Sequence, residues 1–226
     1  MGSWRAKDRS RGGSGVVNVE DTGGLPSGSA GARDHRDVLE TSLKGRLLVA
    51  SPVLTDPNFD RTVVLVLEHN DEGAIGVVLN RPSDTMLAET LPGWHPVAAA
   101  PGVVFVGGPV APTAAIGLAV AVTPPDAGEE RDGWTHVIGP LGTVDLARDP
   151  DELEPVVREA RVFAGYAGWA AGQLEGELQV GGWFVVDADV GDALASNPGA
   201  LWRAVLKRQR GSLSWLANYP EDVSTN

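Results

Sequence analysis

Residues 161–183 read RVFAGYAGWAAGQLEGELQVGGW, and this stretch decides the fold. Arg161 to Ala164 form the apolar start of a strand. Gly165 and Gly168 break the run into an elbow, residues 170–179 have the composition of a short polar helix, and Gly181 and Gly182 turn into a second apolar run. Glycine serves where the chain takes a positive φ or where another backbone comes close. A helix that opens just after glycines presents unpaired N–H groups and the positive end of its dipole, so the elbow is a candidate anion site. Gly165, Tyr166, Gly168 and Trp169 then line the turn, with Gln173, Glu175 and Glu177 following on the helix. No Lys-Ser/Thr follows the last glycine, as a Walker A loop requires, and the spacing is not GxGxxG. Tight packing of a strand–helix corner around aromatic plugs is the competing reading.

Working outward, residues 183–186 continue as a strand. Residues 149–160, DPDELEPVVREA, have helix-start chemistry, with Asp149 as cap, Pro150 in the first turn and acidic residues at the positive end. Residues 45–52 are a short apolar run expected as a buried strand, and residues 61–69 are a second apolar run. The second, RTVVLVLEH, is rich in β-branched residues and is expected as a central strand covered on both faces. NDEG at 70–73 is a hairpin turn and residues 74–80 the returning strand, ended by Arg81-Pro82. Residues 85–91 suggest one or two helical turns. Residues 103–106 form a strand before the sharp corner Gly107-Gly108-Pro109. Periodicity leaves residues 114–122 open between strand and helix. Residues 134–138 and 144–146 are short strands, and 123–131 an exposed acidic loop. Residues 197–210 read as a helix with Asn197 as cap, Pro198 at its first position and Gly211 as its stop. Many short strands with few helices and no βαβ repeat imply an α+β fold.

The chain has 226 residues, 42% hydrophobic, with no cysteine and a formal charge of −12. Without cysteine there is no disulfide, thiol nucleophile or Cys-based zinc site, and the cytoplasm is the expected compartment. No apolar run approaches the ~20 residues that span a bilayer, and no signal peptide is expected at the basic N-terminus. Residues 1–40 carry six Arg or Lys and six Asp or Glu. They are poor in apolar residues and are expected as a disordered tail, with the domain over 41–226 holding the whole negative charge. An acidic domain repels phosphate backbones, which argues against direct DNA binding.

GRLLVASPVLTDPNFDRTVVLVLEHNDEGAIGVVLNRP from Gly45, VFVGGPV from Val104, the 161–183 stretch with its GYAGW and GQLE motifs, and LWRAVL from Leu201 together resemble the blocks of the bacterial YqgE/AlgH family, in order from about Gly45 to Leu206. The resemblance implies a single compact α+β domain whose bifurcated sheet curls into a partial barrel, with flanking helices. It implies a bacterial cytosolic protein that carries a transcriptional-regulator label, without an established activity or agreed catalytic residues. Two departures stand out. Residues 117–121 read GLAVA where many members carry a histidine, and Leu67 stands where some have a cysteine before the Glu-His pair.

The candidate ligand-binding residues are therefore Gly165, Tyr166, Gly168, Trp169 and Gln173 at the elbow, Gly107 and Gly108 at the corner, and Arg61, Glu68, His69 and Asn80 around the hairpin. Adjacent strand residues point to opposite faces, so Glu68 and His69 share a pocket only across a bulge. Arg61 is expected to pair with Asp60, Glu68 or Glu175. The loop Asp56-Pro57-Asn58-Phe59-Asp60 lacks the glycine of a calcium loop, and His35, His69, His95 and His136 lack metal-ligand spacing, so no metal and no cofactor is expected. The leading function is a regulatory or small-ligand-binding module. Its competitors are a protein-interaction module with an apolar patch around Trp202 and Trp215, an enzyme using Glu68, His69 and Glu175, and DNA binding through Lys207, Arg208 and Arg210. The partner, small ligand or protein, and the oligomeric state stay open.

Overall fold

A computed structural model describes residues 42–123, 131–153 and 155–219. Its strands are β1 (Arg46–Ala50), β2 (Val63–Asn70), β3 (Gly73–Val78), β4 (Pro82–Met86), β5 (Val103–Val106), β6 (Val110–Ala121), β7 (Trp134–Ile138), β8 (Leu141–Val144), β9 (Val157–Ala170) and β10 (Trp183–Asp187). Its α-helices are α1 (Leu87–Thr90), α2 (Gln173–Gln179), α3 (Val190–Ala193), α4 (Leu201–Lys207) and α5 (Leu213–Leu216). The strands form one sheet in the order β10-β1-β2-β3-β9-β6-β8-β7, with β5 beside β9 and β4 beside β5. Every pairing is antiparallel except β5 with β9. The fold is α+β, a mainly antiparallel sheet curled into a half-barrel with a few helices.

The sheet forks at β9. Its last residues pair with β3, from Gly73 opposite Ala170 to Gly76 opposite Ala167. Further back, Phe163 and Ala164 pair with Phe105 and Val106 of β5, while β6 runs along the other edge. Gly107 sits in the crotch. Its N–H donates to Ala164 O and its carbonyl accepts from Val78 N, both at 2.8 Å. A Cβ on Gly107 would stand 2.3 Å from Gly165 O, and one on Gly165 (φ +70) 2.5 Å from Gly108 O. The two glycine motifs are thus a backbone-on-backbone contact that only residues without a side chain permit. This corrects the expected elbow: β9 runs unbroken through Gly165 and Gly168, and the turn into α2 comes later, at Gly172 (φ +73).

Strand alternation supplies two cores from the same strands. Leu47, Val49, Val63, Leu65, Val77 and Leu79 face one side, against Trp202, Val205 and Leu206 of α4. Leu48, Ala50, Val64, Val66, Ala74 and Val78 face the other, against Leu174 of α2 with Trp169 and Trp183. A third cluster lies around Trp94, Trp134 and Val144 with α1 residue Leu87. The expectation of a β2 strand covered on both faces holds.

Two further expectations are corrected. The helix over 149–160 is only a 3-10 turn, Pro150–Glu152. Asp149 does cap it, accepting from Asp151 N at 2.9 Å. Pro155 then blocks continuation, since it has no N–H to give, and Val157 onward pairs with β6. The helix over 197–210 is a 3-10 turn, Pro198–Ala200, followed by α4, and Asn197 makes no side-chain cap bond. The returning strand β3 does end before Arg81-Pro82, at Val78, and Pro82 opens a separate edge strand β4, where a missing donor is tolerated. Residues 114–122, left open by periodicity, belong to β6, paired with β8 and β9 together. The expected tail at 1–40 and most of the acidic loop at 123–131 lie outside the described residues.

Candidate binding site

The 161–183 stretch builds its polar centre on α2. Gln173 opens the helix and its side-chain Oε1 accepts from Ala170 N at 3.1 Å. Its Nε2 donates to Glu177 Oε1 at 3.0 Å, one turn on. Glu177 Oε2 accepts two indole N–H groups, Trp169 Nε1 at 2.9 Å and Trp183 Nε1 at 2.8 Å. Trp169 comes from β9 and Trp183 from β10, so one carboxylate ties two strands to the helix between them. Gly181 (φ +74) and Gly182 close the far end, with Gly182 N donating to Glu177 O at 2.9 Å.

Three rings pack at this centre. Trp169 and Trp183 meet edge to face at 5.9 Å between centroids. Phe59, from the loop between β1 and β2, stacks on Trp169 at 6.3 Å and meets Trp183 at 5.5 Å and 74°. The loop is shaped by Asp56, whose Oδ1 accepts from Asn58 N at 2.8 Å, as Asp does in turns. Thr62 anchors the carbonyl of Phe59 through its hydroxyl at 2.8 Å.

A second polar pair lies on the same helix. His69 Nε2 meets Glu175 Oε1 at 2.8 Å, and His69 Nδ1 accepts from Leu43 N at 3.0 Å. A ring that accepts at Nδ1 carries its proton on Nε2 and donates it to Glu175. Both nitrogens are committed to holding α2 and the chain before β1 against the β2–β3 hairpin.

The nominated residues are divided rather than gathered. Trp169, Gln173 and His69 share the α2 face. Tyr166 points to the opposite face, into the other core, with its ring over Gly168. Gly107, Gly108 and Gly165 form the fork. Glu68 is exposed, and the bulge of β2 falls before it, between Val66 and Glu68, so Glu68 and His69 alternate to opposite faces and the pairing is His69 with Glu175. Asn80 joins the loop end, accepting from Val63 N at 3.0 Å and donating to Arg61 O at 2.9 Å. Arg61 (φ +52) reaches Tyr219 O at 3.3 Å and lies 4.9 Å over the Trp202 ring, rather than on Asp60, Glu68 or Glu175. Phe59 and Trp183 are the site residues that sequence reasoning missed, and Glu177 was named only as following the elbow. The signals were the i,i+4 spacing of Gln173 and Glu177 and a tryptophan placed directly after the glycine turn.

Other charges and aromatics are also absorbed. Arg161, 2% exposed, donates to Ala193 O, Ala195 O and Ala100 O at 3.1, 3.1 and 2.6 Å and lies 4.2 Å over Phe105. Burial pulls its guanidinium down to about 10, with Glu159 opposing, so it stays a cation at neutral pH. Arg208 grips Asp192 with two bonds of 2.6 Å, which raises it further, and this removes it from the expected basic cluster. The expected apolar patch around Trp202 and Trp215 is split, since Trp202 is buried and donates to Ala50 O at 2.9 Å while Trp215 is 78% exposed. Among the described residues no three His, Cys, Asp or Glu side chains converge on a metal site, and no helix is long and apolar enough to cross a membrane. A surface cleft of about 610 Å³ at β7 and β8, lined by Arg131, Asp132, Trp134, Thr135, Thr143 and Asp145, contains none of the signature residues.

Residues 47–214 match the AlgH-like family. A UPF0301 protein of Streptomyces coelicolor is 53% identical over 188 residues, 82% of this chain and 96% of that protein. One from Thermobifida fusca is 45% identical over 201 residues, 85% and 98% of the two chains. The crystal structure of a Corynebacterium diphtheriae protein superposes with a TM-score of 0.73 at 34% identity, covering 78% of this chain and 92% of that one. The solution structure of AlgH from Pseudomonas aeruginosa gives 0.57 at 32% identity, covering 80% and 96%. With signature, fork and family match in agreement, this chain belongs to the AlgH-like family of uncharacterised proteins.

Proposed function

We propose that this protein is a regulatory, small-ligand-binding module rather than a catalyst, acting in the bacterial cytoplasm. The supporting observation is the use of the His69–Glu175 pair. The residues that would have to do acid–base work spend both imidazole nitrogens on a backbone N–H and a helix carboxylate. A general base needs a free lone pair aimed at a substrate proton, and this ring has none to offer. The signature instead assembles an aromatic centre around Glu177, which is the chemistry of a binding site. Any link to transcription would then run through a bound ligand or partner.

Native mass spectrometry of the protein purified from its own host, set against the denatured mass, tests this. The expected result is an extra mass that disappears on denaturation and returns after mixing with host metabolites. A bare mass in both preparations overturns ligand binding. Trp215, 78% exposed on α5, favours a second reading, a protein-interaction module. Capture of a partner by the wild type and its loss in Trp215→Ala would then support that role.

A further inference from the structure

The centre at Glu177 contains one formal negative charge and no formal positive one among the described residues. Glu177 accepts only neutral donors, two indole N–H groups and one amide N–H, and no cation is paired with it among the described residues. Beside it stand the rings of Trp169 and Trp183, whose π faces are electronegative. A half-buried carboxylate without a counter-charge is costly, and a fold that wanted only packing could use a neutral acceptor. Phe59 covers this arrangement, and it differs from the other two rings. Trp169 and Trp183 are 6% and 3% exposed and belong to strands paired within the sheet. Phe59 is half-buried on an exposed loop, and its ring packs against both tryptophans from the loop side. Its backbone is fixed by Thr62, and side-chain rotation frees the ring without undoing the loop.

We propose that Phe59, Trp169, Trp183 and Glu177 form a closed onium site, an acidic aromatic box in which Phe59 occupies the place of a quaternary ammonium or fully methylated amine. The polar inventory selects this class over a primary amine. Glu177 Oε2 already accepts two bonds and Oε1 one, which leaves about one acceptor position on the carboxylate, so an ammonium with three N–H groups would have donors left without a partner there. A quaternary ammonium has no N–H to place. It needs only π faces, nearby negative charge and a dry wall, which the box supplies. The ligand must displace Phe59, so the closed state lowers apparent affinity by the fraction of time the ring is out.

The proposal rests on the reading of this chain as a binding module and names the ligand class. Its test is a titration of the ¹⁵N-labelled full chain with tetramethylammonium chloride, following the indole N–H signals of Trp169 and Trp183, with ammonium chloride as the matched salt. The expected result is a saturable shift of these two signals, absent with ammonium, with about tenfold tighter binding in Phe59→Ala and about tenfold weaker in Glu177→Gln. No saturable shift in either the wild type or Phe59→Ala overturns it, as does an equal response to ammonium or undiminished binding in Glu177→Gln. If a variant does not fold, the wild-type titration against ammonium decides alone. Failure here leaves the native-mass result standing, so the onium site and the binding-module reading fall separately.

Discussion

Glu177 shows how much one side chain can hold together. It joins β9, α2 and β10 through three hydrogen bonds, two of them from buried indoles. Bonds to a charged acceptor contribute more than neutral ones, and an indole N–H left without a partner keeps its desolvation cost. Glu177→Ala is therefore expected to lower unfolding stability by about 2–4 kcal/mol, measured as a shift of the urea midpoint at unchanged slope. Glu175→Ala removes a single bond, to a ring that keeps its contact with Leu43, and is expected to cost about 1–2 kcal/mol. Equal losses for the two variants would mean that the indole bonds add nothing beyond an ordinary helix contact.

The glycines set the geometry between elements, and they fall into two kinds. Gly165 combines a φ of +70 with a Cβ position 2.5 Å from Gly108 O. Gly165→Ala is expected to destabilise the fork by more than about 3 kcal/mol, from strain and the forced parting of β9 and the Gly107–Gly108 corner. Gly176, inside α2, has open space at its Cβ position, so Gly176→Ala is expected to gain about 0.5–1 kcal/mol through helix propensity alone. Thermal midpoints moving in opposite directions check both. The strands β2, β3, β5 and β7 were legible in the sequence because their apolar runs and the NDEG turn are local signals. The fork was not. Its glycines read equally well as an elbow, because close approach to a distant backbone and a local turn demand the same residue. The helix expected over 149–160 failed for a related reason: correct capping chemistry at Asp149 says nothing of the long-range pairing with β6 that claims Val157 onward. At the candidate site, Gln173, Trp169 and His69 were nominated from local motifs. Phe59 was not, since it comes from a loop more than a hundred residues away in sequence.

At the scale of the molecule, three cores are strung on opposite faces of shared strands. Alternate residues of β1, β2 and β3 feed the α4 face and the α2 face. On β6, Leu118 and Val120 belong to the α4 core while Ala119 and Ala121 belong to the cluster around Trp134, and on β9 Phe163 and Val162 divide in the same way. No core can lose its strands without exposing the apolar back of another. At about 25 cal/mol per Å² of apolar surface, that exposure opposes any partly unfolded state. Residues 42–219 are therefore expected to unfold as one cooperative unit although the sheet forks. Each core contains at least one tryptophan: Trp202 in the first, Trp169 and Trp183 in the second, Trp94 and Trp134 in the third. With 5-fluorotryptophan incorporated, their ¹⁹F signals in a urea titration should share one midpoint and one slope. An earlier transition at Trp134 would show that the fork divides the domain and that β6 and β9 do not couple its arms. An earlier transition at Trp183 alone would make the α2 face a separately opening unit.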